Sequence, residues 1–433
     1  MRMLFWISAL GVGYVYIGYP ALLVVWAGLR PRPVRRSNPM PEAEAEAGAE
    51  ALPNISIVIA ARNEAARLPA RIDNLLALDY PSDRREIVVV SDGSTDDTLA
   101  VLSEYGGVLQ PVAAPAAGKA AALNIAAARA TGDVLIFADA RQMFVPDALR
   151  QLVAPLSDPE VGGVTGELLL NCEQSDVAGR RTRADRRGQS SERPHSSRTP
   201  ERRLGERRGR QTSTIGDGVG LYWRYEKQLR RLESAVGSTL GATGAIYALR
   251  RSLYRPLPEN TILDDVLVPM RAVLAGHRVV FNERAIAFDR VSVDADAERR
   301  RKVRTLAGNF QILWQEPRLL LPVVNPVWLQ YVSHKLGRLL VPYALVGLFL
   351  ANLALAAEHP FYALTLAAQC GLYFLGGYGA WLDSLRGKRR ETNATPRWLP
   401  VDRLARVALT FLVMNYAAVA GLASVLTRRQ VWR

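Results

Sequence analysis

The chain has 433 residues, 49% of them apolar and 22% charged, with a formal net charge of +14 and a mean hydropathy of +0.01. That length suffices for two or three domains of ~150 residues each, and an average between the soluble and membrane classes points to segregation, with apolar runs at both ends and an enzyme-like middle. Two distant cysteines, Cys172 and Cys370, exclude a disulfide scaffold and a zinc module; collagen and a wholly soluble chain are excluded as well.

In chain order, residues 3–29 are uncharged and long enough to cross a ~30 Å hydrocarbon core as a helix. A secretory signal would have a shorter apolar core and a small-residue cleavage site. Arg30, Arg32, Arg35 and Arg36 follow and by the positive-inside rule hold the downstream side in the cytoplasm. Residues 30–52 read as a linker, basic at first and then rich in Pro, Glu and Ala. Residues 55–61 (ISIVIAA) predict a strand buried on both faces, and Leu68, Ile72, Leu75 and Leu76 then line one helical face. A second buried strand at 87–90 runs into SDGSTDDT (91–98). An alanine-rich helix over 119–130 precedes a third strand at 134–137. Strands alternating with helices imply a mostly parallel sheet covered on both faces, whose ligands sit at the carboxyl ends of the strands. All three strands end in polar clusters: Asn63-Glu64, Asp92-Gly93 and Asp139-Ala140-Arg141.

Residues 180–210 hold twelve arginines against four acids, Asp185, Glu192, Glu201 and Glu206, a net +8. With few apolar side chains to bury, the stretch 180–212 is predicted to be a disordered, solvated insertion near an anionic membrane surface. No aromatics interleave with the arginines to stack bases, so nucleic acid is not an expected partner. Further on, residues 322–332 read as interfacial. Residues 339–357 and 361–382 predict a helical hairpin turned at Glu358-His359-Pro360, and Arg386, Lys388, Arg389 and Arg390 return the chain to the cytoplasm. A last apolar run, 404–426, is followed by Arg428, Arg429 and Arg433. Both basic flanks cannot be cytoplasmic across one simple crossing, so this run is re-entrant, or the rule fails, or an upstream segment crosses.

The motifs SIVIAARNE (56–64), VSDGSTDDT (90–98), GKAAALN (118–124) and FAD (137–139) together resemble the family-2 inverting glycosyltransferases, whose membrane-embedded members include the cellulose, chitin, hyaluronan and poly-N-acetylglucosamine synthases. Each motif is weak alone; their order and spacing are specific. The resemblance runs from about residue 53 to 314. It implies a GT-A-type α/β fold, a mostly parallel sheet with helices on both faces, flanked by transmembrane helices. A cytoplasmic transferase domain would span 53–317, between an N-terminal span (1–29) and an interfacial segment with C-terminal spans (318–433), in a multi-pass protein of the cell (inner) membrane. The implied reaction moves a sugar from a nucleoside diphosphate donor to a glycan or lipid acceptor.

Residue by residue, the resemblance assigns Glu64 and Asp92 to the nucleoside and Lys119 to the uridine or diphosphate. Asp139 matches the first acid of an Asp-x-Asp element that holds Mg²⁺ or Mn²⁺ against the diphosphate. The second acid is replaced by Arg141, which either binds phosphate in bidentate fashion or pairs with a nearby acid. Gly241 and Gly244 match a small-residue segment that shapes the acceptor pocket. Asp264 and Asp265 match a Thr-Glu-Asp element, with Asp265 as the general base. Arg304 matches an arginine that contacts the diphosphate, although Arg301 and Thr305 replace the glutamine and tryptophan of the polymerising relatives; Trp314 or Trp223 is available as a stacking platform. Ordinary roles compete at each place: turn chemistry for Asp92, an exposed lysine for Lys119, a tight turn for the glycines, and a helix N-terminal acid for Asp265. A non-catalytic nucleotide-binding membrane subunit or sensor, suggested by Arg141, is the alternative from a different class.

Overall fold

The computed structural model describes residues 1–35, 52–171, 216–290, 295–389 and 400–427. The insertion expected at 180–212 and most of the 30–52 linker lie outside these residues. The strands are β1 (Ile55–Ala61), β2 (Arg85–Asp92), β3 (Gln110–Ala114), β4 (Val134–Ala138), β5 (Met143–Phe144), β6 (Val161–Asn171), β7 (Ile246–Arg250) and β8 (Arg278–Arg290). The helices begin with α1 (Arg2–Leu29). There follow α2 (Leu68–Leu76), α3 (Thr98–Glu104), α4 (Lys119–Arg129), α5 (Ala148–Val153), α6 (Gly216–Val236), α7 (Asp264–Leu274) and α8 (Ala295–Gln315). The last three are α9 (Trp328–Leu355), α10 (Pro360–Arg389) and α11 (Pro400–Leu426).

Alternate residues of β1 serve two cores. Ile55, Ile57, Ile59 and Ala61 pack with Leu68, Ile72 and Leu75 of α2, while Val58 packs with Val88, Val90 and the Ala120–Leu123–Ala126 stripe of α4. Coverage on both faces explains why these strands are continuous apolar runs with no polar alternation. The described residues form one sheet in the order β3-β2-β1-β4-β7-β6-β8-β5. From β3 to β4 all neighbours are parallel; β7 then enters antiparallel to β4 and β6, β6 runs parallel to β8, and β5 closes the edge antiparallel to β8. The chain steps outward from β1 to β2 and β3, then returns across β1 to β4. That reversal is the switch point of the sheet, and ligands of open α/β sheets bind outside the carboxyl ends of the strands at such a point.

Among the described residues, three helices, α1, α9 and the stretch Val401–Leu426 of α11, are long and apolar enough to cross a membrane. The hairpin turn at 358–360 is present, and Glu358 pairs with Arg2 at 2.9 Å, so the start of α1 and the hairpin tip share one end. Both α1 and α9 contain a π-helical turn, at Tyr14–Gly18 and Tyr331–Leu336, and the two turns meet. Tyr14 and Ser333 share a hydrogen bond of 2.8 Å, and a Cβ on Gly337 would come within 2.9 Å of Val15. α11 follows a different path. A Cβ on Gly379 of α10 would touch Ala405 O at 2.5 Å, and one on Gly421 would lie 2.8 Å from Ala307 N of α8, so α11 runs from α10 back onto the α/β body.

The basic run after α1 is partly engaged by that body. Buried Arg278 donates to Arg32 O at 2.6 Å and to Gly237 O at 2.8 Å. Arg35 N donates to Asp158 Oδ2 at 2.9 Å, and Arg32 pairs with Glu160 at 3.1 Å. These contacts seat the segment following α1 on the domain.

Gly132 tests how tightly β1 and β4 are joined. Its N–H donates to Ser56 Oγ at 2.8 Å, and a Cβ there would fall 2.7 Å from Ile55 C and 2.8 Å from Ser56 N. Backbone cannot yield as a side chain does, so Gly132→Ala should cost about 1–3 kcal/mol. Thermal unfolding of the purified variant should show a lowered Tm; an unchanged Tm would contradict this packing.

Candidate active site

The loops after β1 and β2 are stitched together by short polar side chains. Asn63 adopts φ +54°, a conformation that Asn tolerates better than most residues, and its Oδ1 accepts from Thr95 N at 2.8 Å. Glu64 N donates to Thr98 Oγ1 at 2.9 Å, and Ala65 N to Asp96 Oδ2 at 3.2 Å. The Glu64 carboxylate is taken by Arg67, three residues on, at 2.7 Å.

Asp92, at the end of β2, is buried. Its Oδ1 accepts from Ala117 N at 2.8 Å and Gly118 N at 2.9 Å, and its Oδ2 from Gly118 N at 3.1 Å. The carboxylate thereby fixes the start of α4. Gly118 lies at φ +95°, where an L side chain would be strained, and the next residue is Lys119. Asn124 on the same helix accepts from Tyr254 O–H at 2.7 Å and Leu257 N at 2.8 Å, so it shapes the scaffold.

Lys119 is the point of convergence. Its Nζ lies 3.1 Å from Asp139 Oδ1, at the end of β4, and 3.3 Å from Asp264 Oδ2, at the start of α7. Burial alone would lower its pKa, but the carboxylates of Asp139, Asp264 and Asp265 raise it well above the ordinary value, so it remains an ammonium. Asp265 sits beside this pair under the 241–244 turn. Gly241 has φ +140°, Ala242 N donates to Asp265 O at 2.7 Å, and a Cβ on Gly244 would stand 2.9 Å from Asp265 Oδ2. Both glycines are therefore required by close approach, Gly244 by the carboxylate itself. Burial first, and then repulsion from Asp264, push the Asp265 carboxyl up to about 6, with Lys119 and Lys335 opposing.

Arg304 is exposed on α8. A turn later a Cβ on Gly308 would fall 2.5 Å from Leu263, so α8 crosses the segment leading into Asp264. The described residues give Arg304 no ion pair with the acids. Trp314 and Trp223 are exposed, at 62% and 42%.

Arg141 lies 3.4 Å from Asp289 Oδ2, to which Gln142 also donates at 3.0 Å. Of its two expected uses, the pairing with an acid is the one present. Asp289 was not legible because β8 (RVVFNERAIAFDR) interleaves charge with apolar residues; read strictly for alternation, it would have appeared as a strand ending in an acid. Arg71 was also missed. It is fully buried on α2, 4.2 Å from the Phe144 ring centre, and its Nη1 donates to Asn74 Oδ1 at 2.8 Å. Asn74 in turn holds both backbone groups of Phe144, bracing the loop that carries Asp139 and Arg141. Burial lowers the Arg71 guanidinium to about 9, against the pull of Asp139. Its helical spacing, three residues after Leu68 and four before Leu75, was the available signal.

Residues 56–227 match the family model described as glycosyl transferase family 2. The chain is 34% identical over 118 residues to the beta-monoglucosyldiacylglycerol synthase of Synechocystis sp., covering 26% of this chain and 25% of that protein. It is 30% identical over 119 residues to the poly-beta-1,6-N-acetyl-D-glucosamine synthase of Staphylococcus aureus, covering 27% and 28%. The match thus spans about a quarter of the length of these curated relatives. Among solved structures, the mannosyltransferase PcManGT of Pyrobaculum calidifontis, in complex with GDP-Man and Mn²⁺, superposes with a TM-score of 0.64 at 19% identity, covering 98% of this chain and 99% of that one. The fold is therefore that of the GT-A transferases, including the helices around the sheet.

Removing the Asp92 carboxylate would orphan the 117 and 118 amides. Asp92→Ala should cost about 2 kcal/mol and Asp92→Asn, which keeps one acceptor oxygen, distinctly less. Thermal unfolding of both variants checks the order; equal losses would contradict the assigned bonds.

Proposed function

Because residues 56–227 match the family model of glycosyl transferase family 2, we propose that this chain transfers a sugar, with inversion, from a nucleoside diphosphate donor to a hydroxyl of a glycan or glycolipid at the cytoplasmic face of the cell membrane. The observation that carries this reading is the bridge of Lys119 between Asp139 and Asp264, with Asp265 alongside beneath the Gly241–Gly244 turn. The donor is a UDP-sugar in this proposal, its nucleoside lying toward Glu64 and Asp92.

The acceptor hydroxyl enters over the glycine turn and gives its proton to Asp265 as its oxygen bonds to the anomeric carbon. The bond from that carbon to the diphosphate oxygen breaks on the opposite face, which inverts the centre. Lys119, the start of α4 and Arg304 neutralise the departing diphosphate. Arg141 contributes only if it leaves Asp289. Preorganised cations matter here because they need no rearrangement as charge develops.

The described residues contain no group of three His, Cys, Asp or Glu that could hold a metal ion. Asp139 is a single carboxylate, already 3.1 Å from Lys119. This set fits Mg²⁺ or Mn²⁺ only as an ion that arrives with the diphosphate, since such ions often use one or two carboxylates plus substrate phosphates. Bound in that way it would supply charge stabilisation to the leaving group.

Membrane placement follows the same reading. α1 and the α9–α10 hairpin cross, and α11 lies along the cytoplasmic surface between α10 and α8. Both basic flanks, 386–390 and 428–433, then stay on one side without breaking the positive-inside rule.

Two outcomes test the reaction. Membranes carrying the wild type should release UDP from a UDP-sugar, and Asp265→Asn should lower turnover at least ~100-fold. A protein that binds UDP without turnover would support the non-catalytic alternative. The base works only when deprotonated and its folded pKa is raised to about 6, so activity should rise with pH through about 6 and level off above it. A rate independent of pH between 5 and 8 would contradict Asp265 as the base. Separately, Arg141→Asp restores the two-acid element and should increase sensitivity to EDTA; identical EDTA titrations in the two proteins would remove the second acid position from metal binding.

A further inference from the structure

Of the stretch 322–332, expected to lie at a membrane interface, the second half is taken up by the α/β body. Val327, Gln330 and Tyr331 are buried, Val327 and Tyr331 in the core that also holds Leu319. Between Leu319 and Val327 the chain makes a knuckle whose tip is apolar. Val323 is 97% exposed and Leu321 50%, with Leu320 and Val324 exposed beside them around Pro322. Single exposed apolar side chains are ordinary; a contiguous group of this kind marks a lipid or protein contact.

The knuckle is held in shape and cannot fold its tip away. Buried Asn325 donates from Nδ2 to Leu319 O at 2.8 Å, and its Oδ1 accepts from Val327 N at 3.1 Å. Trp328 Nε1 donates to Leu320 O at 2.9 Å, and Asn325 N to Leu321 O at 2.9 Å. The carbonyls of Leu319, Leu320 and Leu321 are thereby all bonded, while Pro322 and Pro326 have no N–H to satisfy. An unbonded backbone group is costly away from water, and these bonds remove that cost at the tip. At the base, Glu316 is paired with Arg318 at 2.6 Å and with Arg271 at 3.3 Å, so it presents no lone carboxylate to an anionic surface.

Helix geometry gives the height of the knuckle. α1 and α9 are antiparallel: Phe5 packs with Ala351 and Leu355, Val15 with Val341 and Leu345, and the Tyr19 ring lies 6.1 Å from that of His334. From this last contact α1 runs ten residues on to Leu29, about 15 Å, and α9 runs six back to Trp328, about 9 Å. The knuckle, bonded to Trp328, therefore stands level with the last turns of α1, where exposed Val25 and Leu29 give way to Arg30. A charge-free run that ends in arginines marks the passage from hydrocarbon to headgroups.

We propose that residues 320–324 are a wedge seated in the cytoplasmic leaflet at the boundary of headgroups and acyl chains, its partner being the lipid surface itself. The inference rests on the membrane placement proposed above. The wedge follows directly on α8, where a Cβ on Gly308 would fall 2.5 Å from Leu263, the residue before Asp264. Anchored in this way, α8 holds the acceptor side of the site at the height of a lipid-borne hydroxyl.

The test uses the full chain in vesicles of phosphatidylcholine and phosphatidylglycerol, with Cys172 and Cys370 replaced by serine and the fluorophore NBD attached at Val323→Cys. At 97% exposure this substitution removes no packing. Reference labels sit at Val346→Cys, exposed on α9, and at Asp83→Cys, exposed on the domain. Lipids spin-labelled near the headgroup should quench the 323 label about twofold or more better than lipids labelled near the chain end. The order should reverse at 346, and neither lipid should quench at 83. A 323 label quenched by aqueous iodide and by neither lipid would overturn the wedge. So would protection from iodide that vanishes on dilution into excess lipid, which assigns the tip to a second copy of the chain. A 346 label beyond the reach of both lipids would instead overturn the membrane placement, so the two failures are distinguishable.

Discussion

Three carboxylates from distant stretches of chain, Asp139, Asp264 and Asp265, are gathered at one rim of the sheet, and that crowding is tolerable only because Lys119 stands among them. Like charges at such range drive one another toward protonation. The ammonium offsets the repulsion and, by contacting β4 and α7 together, also locks the geometry. Much of the surrounding structure serves this placement. Asp92 pins the amides that start α4, Asn74 and Arg71 brace the loop after Asp139, and the glycine turn leaves space for Asp265.

The apolar helices α1 and α9 are tied into the same body. Tyr19 of α1 and His334 of α9 converge on Glu233 of α6, and Arg338 of α9 holds Glu226 on the same helix. Removing one partner from a buried polar cluster leaves its neighbours uncompensated, so these contacts specify how α1 and α9 seat against α6. Since α6 also reaches the glycine turn through Arg230, helix docking and site geometry are mechanically linked.

Legibility differed by element. The buried strands β1, β2 and β4 and the helices α2 and α4 were plain in the sequence because each is covered on both faces or carries one apolar stripe. Asp92, Lys119, Asp139 and Asp265 could be placed at strand ends and helix starts from motif order. What the sequence could not carry was the choice among partners. Arg141 next to Asp139 looks like a phosphate ligand until β8, a charge-interrupted strand, delivers Asp289 to it. Asp92 reads as a ligand-binding acid, whereas its carboxylate is largely engaged with two backbone amides. The last apolar run is long and apolar enough to span, while its contacts with Ala307 of α8 and Gly379 of α10 could not be read from it. Such outcomes depend on residues from 25 positions away, as for Asp92, to more than a hundred, as for Arg141 and Asp289, which local pattern cannot report.

The central claim is that these acids and cations enclose one nucleoside diphosphate. A structure of the full chain with UDP bound tests it most directly. The account predicts the diphosphate beside Lys119 and Asp139, with the uracil toward Asp92 and Glu64 and open space left between the β-phosphate and Asp265. Density for UDP anywhere else, or a pocket closed to it by the Lys119 bridge, would contradict the account.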